Sequence, residues 1–517
     1  MALSSSNYET TTVIDSFSGL YQGSEQFGTS LRYAADGKNF DVRGGVLKSM
    51  TDGAVHVNAL LDAPIGTLML LFRRFTISAL PGDNALLIAA AGGKLYARKL
   101  NAAATEAWTQ IHSGVQNDVF DYVTYEISTY YTKDGVRVAP GTEGATEVTA
   151  ANPIDILVMS NGDDGMLIVY GDDLSVVHYV VQPDPNKTEK KFGVLARHAE
   201  RIWGGAIPDQ PDMLMYSAIY DPLDWAQRSG EALADGAGDI QQPSWDGDSF
   251  VALRTYGSYL LAIKKNRIWR VSGTNPGEYY FKEQYGGGTL VENTCVVYND
   301  YMFMLGYDGL MVYDGTAVQE FRRPYVQELM KRVNWAHADK ACAAMRGPVY
   351  SLALPLDDSE INNAILEYDA TEKTFALREG VYASSFLAYA DALYYTDSRD
   401  NASVPSGRVM RLDDSGNVLP MSYVTAWQDL GYKSAVKSGF EVYLCADQAI
   451  TVKLGMRSEK KLKTRTVTLV ANKTKRVRLN AQGRQFRLEL EVPTPDASIT
   501  AWKLNGGIQI NMELDWD

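Results

Sequence analysis

GYDGLMVYDG, residues 306–315, is the stretch whose reading decides the fold class. Leu310 and Val312 fall on one face of an extended chain, Met311 and Tyr313 on the other. Period two is the signal of a strand, and Asp308-Gly309 and Asp314-Gly315 supply the positive-φ positions that tight hairpin turns require. The theme returns in GGKLYARKL (92–100), DGMLIVYGDD (164–173), RIWGG (201–205), NRIWRVSG (266–273), DALYYTDSRD (391–400) and GRVMRLDDSG (407–416). Hairpins repeated over about 350 residues imply a series of antiparallel sheets, and their spacing of roughly 40–70 residues is set against the 40–50 typical of propeller repeats. The expected fold is all-β: a β-propeller with insertions plus a C-terminal β-sandwich or jelly-roll-like module. Two stacked sandwiches are the second choice.

Three regions follow from the pattern. Residues 1–50, rich in Ser, Thr and Gly over 1–30, read as an N-terminal arm with the first strands. Residues 51–420 form the propeller body. Residues 421–517, with alternating ITVKLGMRS, TRTVTLVA, KRVRLN and QFRLELEV, form the C-terminal sandwich of about five strands. Within the body, PYVQELMKRVNWAHADKACAAM (324–345) predicts a helix. Pro324 suits its first turn, and Tyr325, Leu329, Met330 and Val333 form a core-facing stripe.

Composition supports many short strands joined by tight turns: 31 Tyr against 15 Phe, with 44 Gly. The three cysteines, Cys295, Cys342 and Cys445, have no Cys-x-x-Cys spacing and read as reduced and buried. The opening MALSSSNYETTT lacks the basic-then-apolar pattern of a signal peptide. No apolar run approaches the roughly 20 residues a membrane helix needs.

Catalytic patterns are missing. The five histidines (His56, His112, His178, His198 and His337) have no metal-ligand spacing, and neither HExxH nor Gly-x-Ser-x-Gly occurs. The acidic pairs Asp163-Asp164, Asp172-Asp173, Asp357-Asp358 and Asp413-Asp414 sit in turn contexts, which predicts turn chemistry rather than acid–base work. YGGGT (285–289) has no following Lys-Ser/Thr and reads as a turn, not a phosphate loop. The expectation is no enzyme, with no catalytic, cofactor or metal residues.

Charge is the one strongly patterned feature. Residues 451–490 hold twelve Lys/Arg against Glu459 and Glu489, a local excess of +10, so with a net charge of −14 the rest of the chain carries −24. Lys460, Lys461, Lys463, Arg465, Lys473, Lys475, Arg476 and Arg478 are the candidate subunit-docking residues. Arg476 and Arg478 share one strand face, with Val477 and Leu479 on the other. A solvated outer face is the alternative to a docking surface for an acidic neighbour.

Four stretches carry a resemblance: SFSGLYQGSEQFGTSLRYAADGKNFDVRGGVLKSM (16–50), RHAERIWGGAIPDQPDMLMYSAIYDPLDW (197–225), DGDSFVALRTYGSYLLAIKKNRIWRVSG (246–273) continuing to YMFMLGYDGLMVYDG (301–315), and WQDLGYKSAVKSGFEVYLCADQAITVKLGMRSE to RVRLNAQGRQFRLELEV (427–492). In these the chain resembles the propeller proteins of bacteriophage tails, the tail nozzle and packaged-DNA-stabilising proteins of short-tailed phages. It departs from them in lacking a Pro beside the N-terminal Gly-x-Leu. The resemblance implies a virion tail protein made in the host cytoplasm. It implies a homo-oligomeric ring, a hexamer, around a channel for non-specifically held DNA, with portal, adaptor or other tail subunits as neighbours. A receptor- or glycan-binding tail adhesin is the alternative function.

Overall fold

The structure, a computed structural model, describes residues 7–14, 16–23, 30–72, 85–128, 130–131, 137–138, 146–147, 154–183, 188–227, 235–242, 248–399, 406–412, 415–459, 461–493 and 503–513. Among them, seven four-stranded antiparallel sheets follow one another. Numbered I–VII, they begin with strands Thr67–Phe72, Asp121–Ile127, Val194–His198, Ala252–Tyr256, Val296–Tyr298, Cys342–Arg346 and Ala383–Tyr389. In sheet V, Tyr301–Gly306 pairs with Gly309–Tyr313 as the expected hairpin, but the register sets Gly306 opposite Gly309, so Tyr307 and Asp308 rather than Asp308 and Gly309 form the turn, with Gly309 at positive φ beside it.

Strand alternation explains how the sheets stack. In Ala85–Ala91 every residue is buried. Its odd positions, Ala85, Leu87, Ala89 and Ala91, pack with Val57, Leu387 and Val409 of sheet VII, while Leu86, Ile88 and Ala90 pack with Leu157, Met159 and Val169 of sheet II. A strand covered on both sides must be apolar at both periods, whereas the fourth strands, such as Tyr280–Gln284, are mostly exposed. Apolar clusters of this kind fill the gap between each sheet and the next, V–VI and VI–VII included. Sheet VII takes its fourth strand, Ala54–Val57, from the start of the chain, where it pairs with Val409–Arg411. Sheet VII in turn packs on Thr67–Phe72 of sheet I. All-β, with successive four-stranded sheets in cyclic contact, the body is compatible with a propeller-like fold.

Beside this body lie two larger sheets. One contains Val436–Ala446, Lys475–Gly483 and Lys503–Glu513; the other contains Ile450–Ser458, Leu462–Leu469 and Phe486–Val492. Phe440, Val442, Leu444, Val477 and Leu479 face Val452, Leu454, Phe486 and Leu488 across a common core. The region from Met421 supplies seven strands to these two sheets rather than about five. The N-terminal region is not a separate arm. Its strand Asn7–Ile14 pairs with Lys503–Glu513, Leu47–Ser49 pairs with the same strand, and Ala34–Lys38 pairs with Met421–Thr425. Pairing at a sequence distance of several hundred residues leaves no local pattern to read.

The expected 324–345 helix is shorter. An α-helix, α1, spans Arg323–Arg332, with Val326 and Leu329 buried. Val333, β-branched, turns extended at its C-terminus, a 3₁₀ turn occupies Trp335–Lys340, and Cys342 already opens sheet VI. Pro324 stands in the first turn as expected. Gln22 stitches the N-terminal segment to α1: its N–H donates to the Pro324 carbonyl, and its side-chain oxygen accepts the Leu329 N–H. A buried ion pair within sheet VI, Arg378–Glu367 at 2.8 Å, anchors the same N-terminal region. Arg378 also donates to the Thr51 carbonyl, and Arg43 reaches Glu367 at 3.5 Å. Among the described residues no helix is long and apolar enough to cross a membrane.

Candidate functional site

The predicted docking cations come together at one edge of the two larger sheets. Leu462–Leu469 is the last strand of one sheet and Lys475–Gly483 the last strand of the other. A turn joins them, with Asn472 in the left-handed region that Asn tolerates. In the second strand Lys475, Arg476 and Arg478 are exposed, while Val477, Leu479 and Ala481 are buried. In the first, residues 462–466 are exposed on both faces, and burial resumes at Val467 and Leu469. Arg465 donates to the Arg478 carbonyl at 3.3 Å, bridging the two edges. Terminal strands carry unpaired ladder groups, and lysine and arginine there discourage uncontrolled strand addition.

The eight residues are not equivalent. Arg476 and Arg478 both bind the Glu441 carboxylate, Arg478 at 2.7 Å. The Arg476 hydrogen bond, with Arg478 and the Tyr443 hydroxyl, pulls the Glu441 pKa down to about 2. These two arginines therefore begin with an internal partner, which their sequence spacing did not reveal because Glu441 lies 35 residues before Arg476 on the adjacent strand. Other bases of the stretch are also paired: Lys453 with Glu491, and Arg457 and Arg487 with Glu489. Lys461, Lys463, Arg465, Lys473 and Lys475 are exposed, with no carboxylate at ion-pair distance among the described residues. Lys460 lies outside the described residues.

Sequence reasoning missed a second polar centre. A cavity of about 390 Å³ is lined by residues from all seven sheets or their leading turns, including Thr67, Asp121, Ala196, Arg254, Cys295, Cys342 and Ser385. The Asp121 carboxylate accepts the Leu195 N–H at 2.7 Å and lies 3.8 Å from Arg254. Arg254 binds Glu292 at 3.2 Å and donates to the carbonyls of Leu253, Glu292 and Cys295. Burial, and the Asp121 carboxyl hydrogen-bonded to it, push the Glu292 pKa well above the glutamate range. Burial opposes the Arg254 charge, but Asp121 and Glu292 outweigh it and raise its pKa. Burial also lifts the neighbouring Tyr122 phenol to about 12 and the Cys295 thiol to about 11. The signal was slight in sequence: three isolated charges, Asp121, Arg254 and Glu292, lie 38 to 171 residues apart.

The remaining candidates have local explanations. Asp164 accepts the Gln116 N–H and the Asn161 amide, and Asp357 pairs with Arg332 at 2.8 Å. Asp413-Asp414 lies outside the described residues. His56 meets the Leu100 carbonyl at 2.9 Å, and His178 meets Glu189. Cys295 and Cys342 are buried and Cys445 half-buried, all unpaired. In YGGGT, Gly288 permits a close approach: a Cβ there would stand 1.8 Å from the Lys264 carbonyl oxygen. Gly288→Ala is expected to cost about 1–3 kcal/mol by forcing those backbones apart, measured as a lower urea midpoint at unchanged slope. No protein-family model and no curated protein matches this chain.

Proposed function

We propose that the chain is a structural component of a phage virion, a tail nozzle or head-to-tail connecting protein. In this reading a seven-bladed propeller and its β-sandwich pack with copies of themselves, as a hexamer, into a ring around the DNA channel that helps retain and eject DNA. The observation that carries the reading is the separation of charge. Five cations with no carboxylate partner among the described residues stand on one sandwich edge, while the chain outside 451–490 carries −24.

An edge of one copy set against an acidic surface of the next is a heterologous contact, which closes into a ring when its rotation is right. Opposite potentials steer such a contact and fix its partner. An acidic wall also suits a conduit, since it offers phosphates no counter-charge and lets a duplex slide. The passage would run between subunits, because the cavity at the centre of the sheets is small, about 390 Å³, and lined by side chains such as Asp121 and Arg254. Portal or adaptor proteins on one side and tail subunits on the other are the proposed neighbours.

Native mass spectrometry with negative-stain imaging tests this. The expected result is six copies and a central hole, with dissociation as salt rises from about 0.05 to 0.5 M and screening shortens. A monomer at every concentration and salt would overturn it. A second reading, a glycan-binding tail adhesin, draws on Tyr220 and Tyr285, which are 72% and 85% exposed; aromatic faces of that kind stack on sugars. Three copies, with tyrosine fluorescence changing on glycan addition, would favour it.

A further inference from the structure

We infer that the carboxyl pair Asp121–Glu292 is a proton-dependent tie at the centre of the sheet ring, closed by a shared proton and loosened when that proton leaves. The argument begins with topology. Asp121 opens the first strand of sheet II, and Glu292 lies in the 3₁₀ turn Glu292–Thr294 just before the first strand of sheet V. In the cyclic order these sheets are separated by two others on the short side, so the pair reaches across the middle rather than between neighbours.

Each end is anchored. Asp121 holds the Leu195 N–H of sheet III. The Glu292 turn is held by Arg254 of sheet IV through the Glu292 side chain and carbonyl, and by the Tyr350 hydroxyl of sheet VI, which donates to the Thr294 carbonyl at 2.9 Å. Sheets II, III, IV, V and VI thus meet in one network. Both carboxyls reach the same Arg254 guanidinium nitrogen, Glu292 at 3.2 Å and Asp121 at 3.8 Å, and two carboxyls so placed can hydrogen-bond only if one carries a proton. Among the described residues, the charged and titratable groups facing Glu292 are Asp121, Arg254 and the Cys295 thiol, with Tyr122 beside Asp121 and Cys342 also lining the cavity. Arg197, also on the cavity wall, is engaged with Glu200. Arg254 is therefore the one cation at the pair among the described residues. With both carboxyls ionised, two negative charges face one guanidinium already shared with three carbonyls.

The sign follows. Below the ordinary glutamate range, folded and unfolded chains both hold the proton and the tie is complete. As pH rises, the unfolded chain ionises first, because the folded Glu292 pKa is the higher; the stability of the tie is lost through that interval.

Hydrogen exchange of the full chain between pH 5 and 8 tests this, reading peptides 194–198 and 252–256 against 440–444 in the sandwich, which cancels the intrinsic pH dependence of exchange. The native ratio is expected to lose about tenfold in protection for each unit by which the Glu292 pKa is raised. Glu292→Gln keeps a donor for Asp121 and an acceptor for Arg254 at every pH, so its ratio stays flat. Asp121→Asn removes the neighbouring charge and shrinks the slope, which serves if the glutamine variant does not fold. A native ratio that is flat, or a fall that both variants share with the native chain, overturns the proposal.

Discussion

Replacing Lys461, Lys463 and Arg465 together by glutamate is expected to leave a folded chain that no longer assembles. The three side chains are exposed and without a carboxylate partner among the described residues, and Leu462–Leu469 keeps its ladder to Ile450–Ser458 through the backbone. Surface changes of this kind usually move stability by less than about 0.5 kcal/mol. The proposed interface loses three attractions and gains three repulsions. Rim charges placed against like charges cost several kcal/mol, enough to take an assembly from complete to absent at micromolar concentration. The native mass spectrum should show monomer, with an unchanged circular dichroism melt. A ring of native size from this variant would remove the basic edge from the interface. Glu441→Gln is the companion: it releases Arg476 and Arg478, and should strengthen assembly if the edge docks on acid.

Glu367→Ala has the largest expected effect on folding. Glu367 and Arg378 are both buried, with their ion pair at 2.8 Å, and Arg43 and Asp41 extend the network toward the N-terminal strands. Removing one partner of a buried pair leaves the other charge in a poorly solvating interior and costs about 3–5 kcal/mol. Here the orphaned guanidinium is Arg378, which among the described residues keeps its hydrogen bond to the Thr51 carbonyl and a weaker attraction to Asp41. Chemical denaturation should show that loss, and the N-terminal region should release first in limited proteolysis, because residues 41–51 are held on sheet VI by this network. Replacing Glu367 and Arg378 together by Met and Leu should recover much of the loss, since neither charge is then buried alone. Equal destabilisation by the single and double variants would place the cost in packing instead.

Much of the architecture was legible in residues 306–315 and their echoes. Alternation and Asp-Gly turns are local properties of a chain with a two-residue repeat, so they mark strands and hairpins before any tertiary contact exists. The all-β class and the strand Ile450–Ser458, which coincides with ITVKLGMRS, were read in this way. So was the charged outer face of Lys475–Gly483, with Val477 and Leu479 beneath it. The helix was over-read because its apolar stripe continues into Val333, where the chain is already extended toward sheet VI.

The separation of charge, with which the functional reading began, needed both levels. Composition alone determined that 451–490 is basic and the remainder acidic. Only the tertiary structure decided which cations are available, since Glu441 neutralises part of Arg476 and Arg478 from a neighbouring strand, while the turn at Asn472 brings Lys463, Arg465 and Lys475 to one edge. It alone joined the first strands to the last sheets, and brought Asp121, Arg254 and Glu292 together at the centre. The reason is physical. A strand's own pattern records which face is buried, but a partner across a sheet or a cavity is set by ring closure and register, and these depend on residues hundreds of positions away.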